Sequence, residues 1–195
     1  FFRWLRRERG IPLENLTLLD LGCGNGKNSN YLCSQDMTNR ATGFDISDTA
    51  LTEARNNAYE MEVEEQTQYI KHDIGSPYPL PQQTFDIALD VTSSNSLNEK
   101  GREIYLNETH RILKAEGYFF VRALCKDGDT NAAQLLKNNP GPEKDTYILP
   151  LVGLIERVFS KEDFITTYSG GETPLFNILF LEKETHYTRF AGRSY

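Results

Sequence analysis

At 195 residues, 38% hydrophobic and 25% charged, the chain has the make-up of one globular domain with a core of its own. A net charge of −7 argues against non-specific binding to nucleic acid by the body of the molecule. Three scattered cysteines (Cys23, Cys33, Cys125) without a CxxC pair give no zinc site and fit a reducing compartment, and no apolar run reaches the ~20 residues that span a bilayer.

Residues 1–9 read as a short helix with Phe1, Phe2, Trp4 and Leu5 on one side, stopped by Gly10 and Pro12. Thr17 to Leu21 is the first strand, followed by glycines at 22, 24 and 26 and a helix over 26–36. Ala41 to Ile46 is the second strand. Ser47 caps a helix to about Glu60, with Ala50, Leu51, Ala54 and Ala58 on one face. Gln66 to Lys71 is the third strand, closed by His72-Asp73-Ile74, and 75–83 is a loop of prolines and glycine. Phe85 to Val91 is the fourth strand, 92–98 a polar loop and 99–114 a helix with Ile104, Leu106, Ile112 and Leu113 as its apolar positions. Gly117 turns into a fifth strand, Tyr118 to Leu124. Residues 126–150 read as irregular around a short helix at 131–137; Ser160 to Asp163 is a capping pattern for a helix to about Tyr168, and Pro174 to Leu181 is a last strong strand. The uncapped start at Phe1-Phe2 and the polar tail lead us to expect a chain trimmed at both ends, or a last strand that is short.

Strands alternating with helices imply an α/β architecture, a Rossmann-like three-layer sandwich with a mostly parallel central sheet and helices on both faces. In such sheets ligands lie beyond the carboxyl ends of the strands, where the strand order reverses. Acidic residues fall at four of those ends: Asp20, Asp45, Asp73 and Asp90. Asp45 suits the two hydroxyls of a ribose, and the plainer reading is a surface acid favoured by a helix N-terminus. Asp73 suits an adenine amino group with Ile74 on the ring, or merely a turn before Gly75. Asp90 points into the same crevice or caps the loop that follows. The glycine spacing, G-x-G-x-G, differs from the G-x-G-x-x-G of dinucleotide sites, and no Lys-Ser/Thr follows as in a P-loop.

Four stretches, Asp20 to Gly26, Gly43 to Ile46, His72 to Ile74 and Phe85 to Asp90, together resemble the class I S-adenosylmethionine-dependent methyltransferases over roughly residues 15–125. The resemblance implies an enzyme that uses S-adenosyl-L-methionine and releases S-adenosyl-L-homocysteine. It implies that Gly22, Cys23, Gly24 and Gly26 lend backbone to the methionine part, and that Asp20 holds the turn or meets the amino group. Asp45 would take the ribose, Ile46, Asp73 and Ile74 would bracket the adenine, and Asp90 would lie near the methionine amine and the methyl. It also implies an antiparallel hairpin at the end of the sheet.

On this reading residues 1–195 are one methyltransferase domain, with an N-terminal helix in 1–14 and a lid or substrate-side insertion at 126–155. The catalysis expected is positioning of an acceptor in line with an activated methyl. No catalytic residue is assigned: His110, Tyr147, His186 and Tyr187 are candidates for a base, each better explained by packing or surface. Cys23 reads as a small residue between glycines, not a nucleophile. The base-methylating Pro-Pro-Tyr/Phe pattern is absent from the 92–98 loop, so the expected partner is a small-molecule acceptor in the cytoplasm, with nucleic acid and membrane disfavoured. A non-catalytic cofactor-binding subunit and a protein or RNA methyltransferase are the alternatives, and the oligomeric state is open.

Overall fold

The computed structural model describes residues 1–184, 189–190 and 193–194, so His186 and Tyr187 lie outside the described residues. Backbone contacts divide the chain into two compact units, Phe1–Arg122 and Ala123–Tyr195.

The first unit contains α1 (Phe2–Glu8), β1 (Thr17–Leu21), α2 (Lys27–Cys33), β2 (Arg40–Asp45), α3 (Asp48–Glu60), β3 (Thr67–Lys71), β4 (Phe85–Val91), α4 (Glu99–Ile112) and β5 (Leu113–Arg122). Its five strands form one sheet in the order β3-β2-β1-β4-β5, every pair parallel. Parallel neighbours need crossovers, and right-handed crossovers fix the layers. From β1 the chain steps outward through α2 and α3 in one direction, and from β4 through α4 in the other, so the helices cover opposite faces.

The side-chain alternation of the strands supplies each face. Leu18, Tyr69, Ile87 and Leu89 pack with Phe2, Leu5, Leu32, Leu51, Ala54 and Ala58 of α1, α2 and α3. On the other face Tyr105 of α4 is fully buried, 5.8 Å from the Phe119 ring between centroids. The Leu51, Ala54 and Ala58 stripe of α3 is buried as expected, and the Ser47 hydroxyl accepts from Ala50 N–H at 3.2 Å at its start.

Helix α2, helix α4 and strand β5 each differ from the expected reading. Helix α2 ends at Cys33 rather than 36, because the Ser34 hydroxyl and the Gln35 amide both donate to the Tyr31 carbonyl and draw it out of the helical ladder. The inward stripe of α4 is Arg102, Tyr105, Thr109 and Ile112, not the aliphatic residues at 104 and 106, which are only half-buried. Strand β5 starts directly from α4 at Leu113. Phe85 pairs with Leu113 but Ile87 with Tyr118, so 114–117 bulge out of the ladder around Gly117.

The second unit holds α5 (Thr130–Asn138), β6 (Thr146–Ile148), β7 (Ile155–Arg157), α6 (Lys161–Ser169), β8 (Arg189–Phe190) and β9 (Arg193–Ser194). The stretch expected to be irregular thus contains a helix and one strand of an antiparallel hairpin, β6 with β7. Ala132, Tyr147 and Val158 form its small core with Leu124, Leu135, Leu136 and Leu149. At the start of α6 the Ser160 hydroxyl accepts from Asp163 N–H at 3.0 Å and donates to the Asp163 carboxylate at 2.9 Å, the expected cap.

Pro174 to Leu181 is not a strand. Its apolar residues pair in no ladder among the described residues, and Leu179 and Phe180 remain more than half exposed. A strand forms only with an edge to bond. The five-stranded sheet accordingly has no closing hairpin among the described residues. No helix among these residues is long and apolar enough to cross a membrane.

Candidate active site

The strand order reverses between β1 and β4, and the glycine turn lies at the carboxyl end of β1. Gly22, Gly24 and Gly26 all take positive φ, between 54° and 74°. A Cβ at Gly22 would fall on the Ser93 hydroxyl, whereas one at Gly24 would meet only open space. The first glycine is therefore required by close packing of the 92–98 loop. The second is required by its backbone conformation and leaves its main chain open on one side. Cys23 N–H donates to the Phe44 carbonyl at 2.8 Å, which fixes the turn to β2. Gly26 is the N-cap of α2, so the amides of that helix begin at the turn.

Asp20, the last residue but one of β1, is 1% exposed, and its carboxylate accepts from the Ser29 hydroxyl of α2 at 2.8 Å. Burial pushes its carboxyl up to about 7, opposed by that hydrogen bond. It ties the strand to the first turn of α2. Asp45, at the end of β2, is half-buried and spans two backbone donors. One oxygen accepts from Gly24 N–H and the other from Ser47 N–H, each at 2.9 Å. This carboxylate links the glycine turn to the start of α3 and remains open to solvent. Ile46 beside it is 69% exposed.

Beyond β3, the Asp73 carboxylate is exposed and accepts from Gly75 N–H at 2.8 Å, an Asx turn. Ile74 is 7% exposed, a core side chain whose carbonyl accepts from the Tyr78 hydroxyl. The sequence leaves Asp90 either as an acid facing the crevice or as a cap for the loop that follows, and its contacts are with that loop. Strand parity turns it to the α4 face, where it is fully buried. Its oxygens accept from the Tyr105 hydroxyl at 2.6 Å and from Ser93 N–H at 2.8 Å, with Ser94 N–H further off. Burial raises its carboxyl above the usual range. Its side chain holds the loop after β4 in place.

The structure therefore brings Asp20, Gly22, Cys23, Gly24, Gly26 and Asp45 together on β1 and β2, with Ile46 open beside them. Asp73 and Ile74 stand one strand further out. Sequence reasoning found the 92–98 loop but not its packing on the glycine turn. Thr92 takes φ 64°, a left-handed conformation uncommon for a β-branched residue. The Ser93 hydroxyl donates to the Gly22 carbonyl at 3.2 Å. Nothing in Thr-Ser-Ser foretells that contact, since it joins residues 71 positions apart.

The side chains considered for proton transfer are placed elsewhere or otherwise engaged. The thiol of Cys23 is buried and shifted upward by that burial, which suits packing and not nucleophilic attack. His110 is exposed on the last turn of α4, next to Leu113 and hence by the first residue of β4, at the opposite end of the strands from the glycine turn. Tyr147 belongs to the small core of the second unit, and its hydroxyl donates to Glu156 at 2.8 Å. No group of His, Cys, Asp or Glu among the described residues is arranged to hold a metal.

Comparison with known proteins gives a consistent picture. A family model described as a methyltransferase domain matches residues 12–153. The ubiquinone biosynthesis O-methyltransferase of Pelagibacter ubique is 28% identical over 121 residues, covering 62% of this chain and 47% of that protein. The fatty-acid O-methyltransferase of Mycolicibacterium smegmatis is 28% identical over 109 residues, covering 55% and 36%. The chain thus spans less than half the length of these curated relatives. Among solved structures, a S-adenosylmethionine-dependent methyltransferase from Methanosarcina mazei superposes with a TM-score of 0.70 at 19% identity, over 83% of this chain and 80% of that one. With a matched model over most of its length and a sheet that carries the glycine turn and Asp45 at its switch point, the chain belongs to the methyltransferase domain family and has the fold of the S-adenosylmethionine-dependent enzymes.

Proposed function

We propose that the protein is a S-adenosylmethionine-dependent methyltransferase acting on the hydroxyl of a small-molecule acceptor. The observation that carries the reading is the Asp45 carboxylate, bonded to Gly24 N–H and still open to solvent at the end of the strand beside the glycine turn. An acid there accepts from ribose hydroxyls, and the open face of Gly24 admits a chain against bare backbone. The residues present fit the cofactor, and no phosphate is required by the G-x-G-x-G spacing. Two relatives named for O-methyl transfer to small molecules support an oxygen acceptor.

When bound, S-adenosylmethionine supplies a methyl already activated on a sulfonium. The chain's own task is then to hold and align. Asp45 would fix the ribose end, the turn from Gly22 to Gly26 would hold the amino-acid end, and Ile46 would shield one side of the base. Asp20 and Asp90 act indirectly: one fixes the start of α2, the other the 92–94 loop. Orientation of this kind is worth about 7–11 kcal/mol of a barrier, which accords with the absence of an assigned base.

Thermal unfolding with S-adenosylhomocysteine, S-adenosylmethionine and NAD in parallel tests the reading. Stabilisation by the sulfur nucleosides alone is expected. Stabilisation by NAD alone would refute it. Asp45→Ala should remove most of the shift, and an unchanged shift would remove the ribose role. Turnover assays with phenols, carboxylic acids, thiols and peptides then separate a small-molecule oxygen acceptor from the alternatives.

A further inference from the structure

The second unit carries an apolar feature that its own core does not use. From Ile148 to Ile155 every residue is aliphatic, proline or glycine. This stretch forms the tip of the β6–β7 hairpin. Its own backbone closes it: Leu149 N–H donates to the Leu154 carbonyl at 2.8 Å, and Gly153 N–H to the Leu149 carbonyl at 3.0 Å. Leu149 packs into the small core. The other apolar side chains do not. Leu151 is fully exposed, Val152 is 71% exposed, and Ile148, Leu154 and Ile155 lie between 37% and 44%.

Leu151 is also at φ 77°. In that region an L side chain is strained, and glycine or asparagine is the usual occupant. Backbone and solvent therefore both disfavour leucine at this position, and folding gains nothing from its side chain. A strained, fully exposed leucine at the centre of an apolar tip has its use outside the fold.

We propose that this hairpin tip inserts into the interfacial layer of a lipid bilayer, with Leu151 and Val152 deepest. The size of the patch favours lipid over protein. Five partly exposed aliphatic side chains offer roughly 500 Å² at about 100 Å² each. A stable protein interface takes about 800 Å² from each partner. The charges next to the tip, Glu156 and Arg157, cancel, so attraction to anionic headgroups is not part of the binding.

The test is flotation of the full chain with phosphatidylcholine vesicles at low and high salt. Co-flotation at both is expected. Leu151→Gly relieves the backbone and removes the side chain together, so it should keep or raise Tm while lowering the vesicle partition coefficient about tenfold. Val152→Ser, at an exposed site, should lower the partition by a similar factor with Tm unchanged. Failure of the unaltered chain to float, or equal flotation of Leu151→Gly, overturns the proposal. So does a concentration-dependent dimer without vesicles that Leu151→Gly abolishes, since the tip would then meet a second copy of the chain.

Discussion

Replacing Asp20 by asparagine should stabilise the protein at alkaline pH. The carboxylate is 1% exposed and has the Ser29 hydroxyl as its side-chain donor at 2.8 Å. Desolvation lifts its pKa from the ordinary carboxylate value to about 7. The folded state therefore binds the proton more tightly than the unfolded chain. Between about pH 4 and pH 7 the native protein holds more protons, so its stability falls as pH rises through that window and is level on either side. A displacement of about three pH units corresponds to about 4 kcal/mol at most at pH 8, at 1.36 kcal/mol per unit. Asparagine keeps the shape and an acceptor for Ser29 but carries no charge. The variant should gain up to that amount at pH 8 and only about 1 kcal/mol at pH 4.5. Asp90 titrates in both proteins and cancels in the difference, apart from its coupling to Asp20. Urea unfolding followed by the fluorescence of Trp4, the single tryptophan, reports on the first unit. A variant that is less stable at pH 8, or whose difference from the parent does not change with pH, would refute the argument.

Other changes probe the same end of the sheet. Tyr105→Phe removes the hydroxyl at 2.6 Å from the buried Asp90 carboxylate and keeps the ring against Phe119; a loss of about 2 kcal/mol is expected, read by the same urea titration. Gly22→Ala puts a methyl where the Ser93 hydroxyl sits and imposes strain at φ 73°, so it should lose about 2 kcal/mol or more and the thermal shift with S-adenosylhomocysteine. Asp45→Ala should lose the thermal shift with little change in Tm of the free protein, because its two partners are backbone amides at a partly solvated surface.

Much of the fold can be read in the chain because its signals are local. The stripe of Leu51, Ala54 and Ala58 specifies α3, and Ser47 specifies where it begins. The apolar runs ending at Leu21 and Asp45, with glycines between, specify strand, turn and helix without reference to anything distant. Alternation of strand and helix then leaves a parallel sheet as the way to bury both faces, and the strand ends locate the crevice.

Other features depended on neighbours that no local pattern names. Pro174 to Leu181 has the apolar run of a strand, yet a strand requires an edge to bond and this stretch is paired with none among the described residues. The buried stripe of α4 contains Arg102 and Thr109, and Arg102 donates to the Leu97 carbonyl at 2.7 Å, so an apolar count did not select these positions. The contacts of Asp90 with Tyr105 and Ser93 were set by parity along β4 together with the face that α4 covers, and they brace the loop. The same loop sets Ser93 against Gly22 across 71 positions. The sequence by itself determined the elements and the glycine turn, since those follow from backbone conformation and periodicity. Only the tertiary structure decided which carboxylates remain open to a ligand, because exposure is a property of packing between elements distant in the chain.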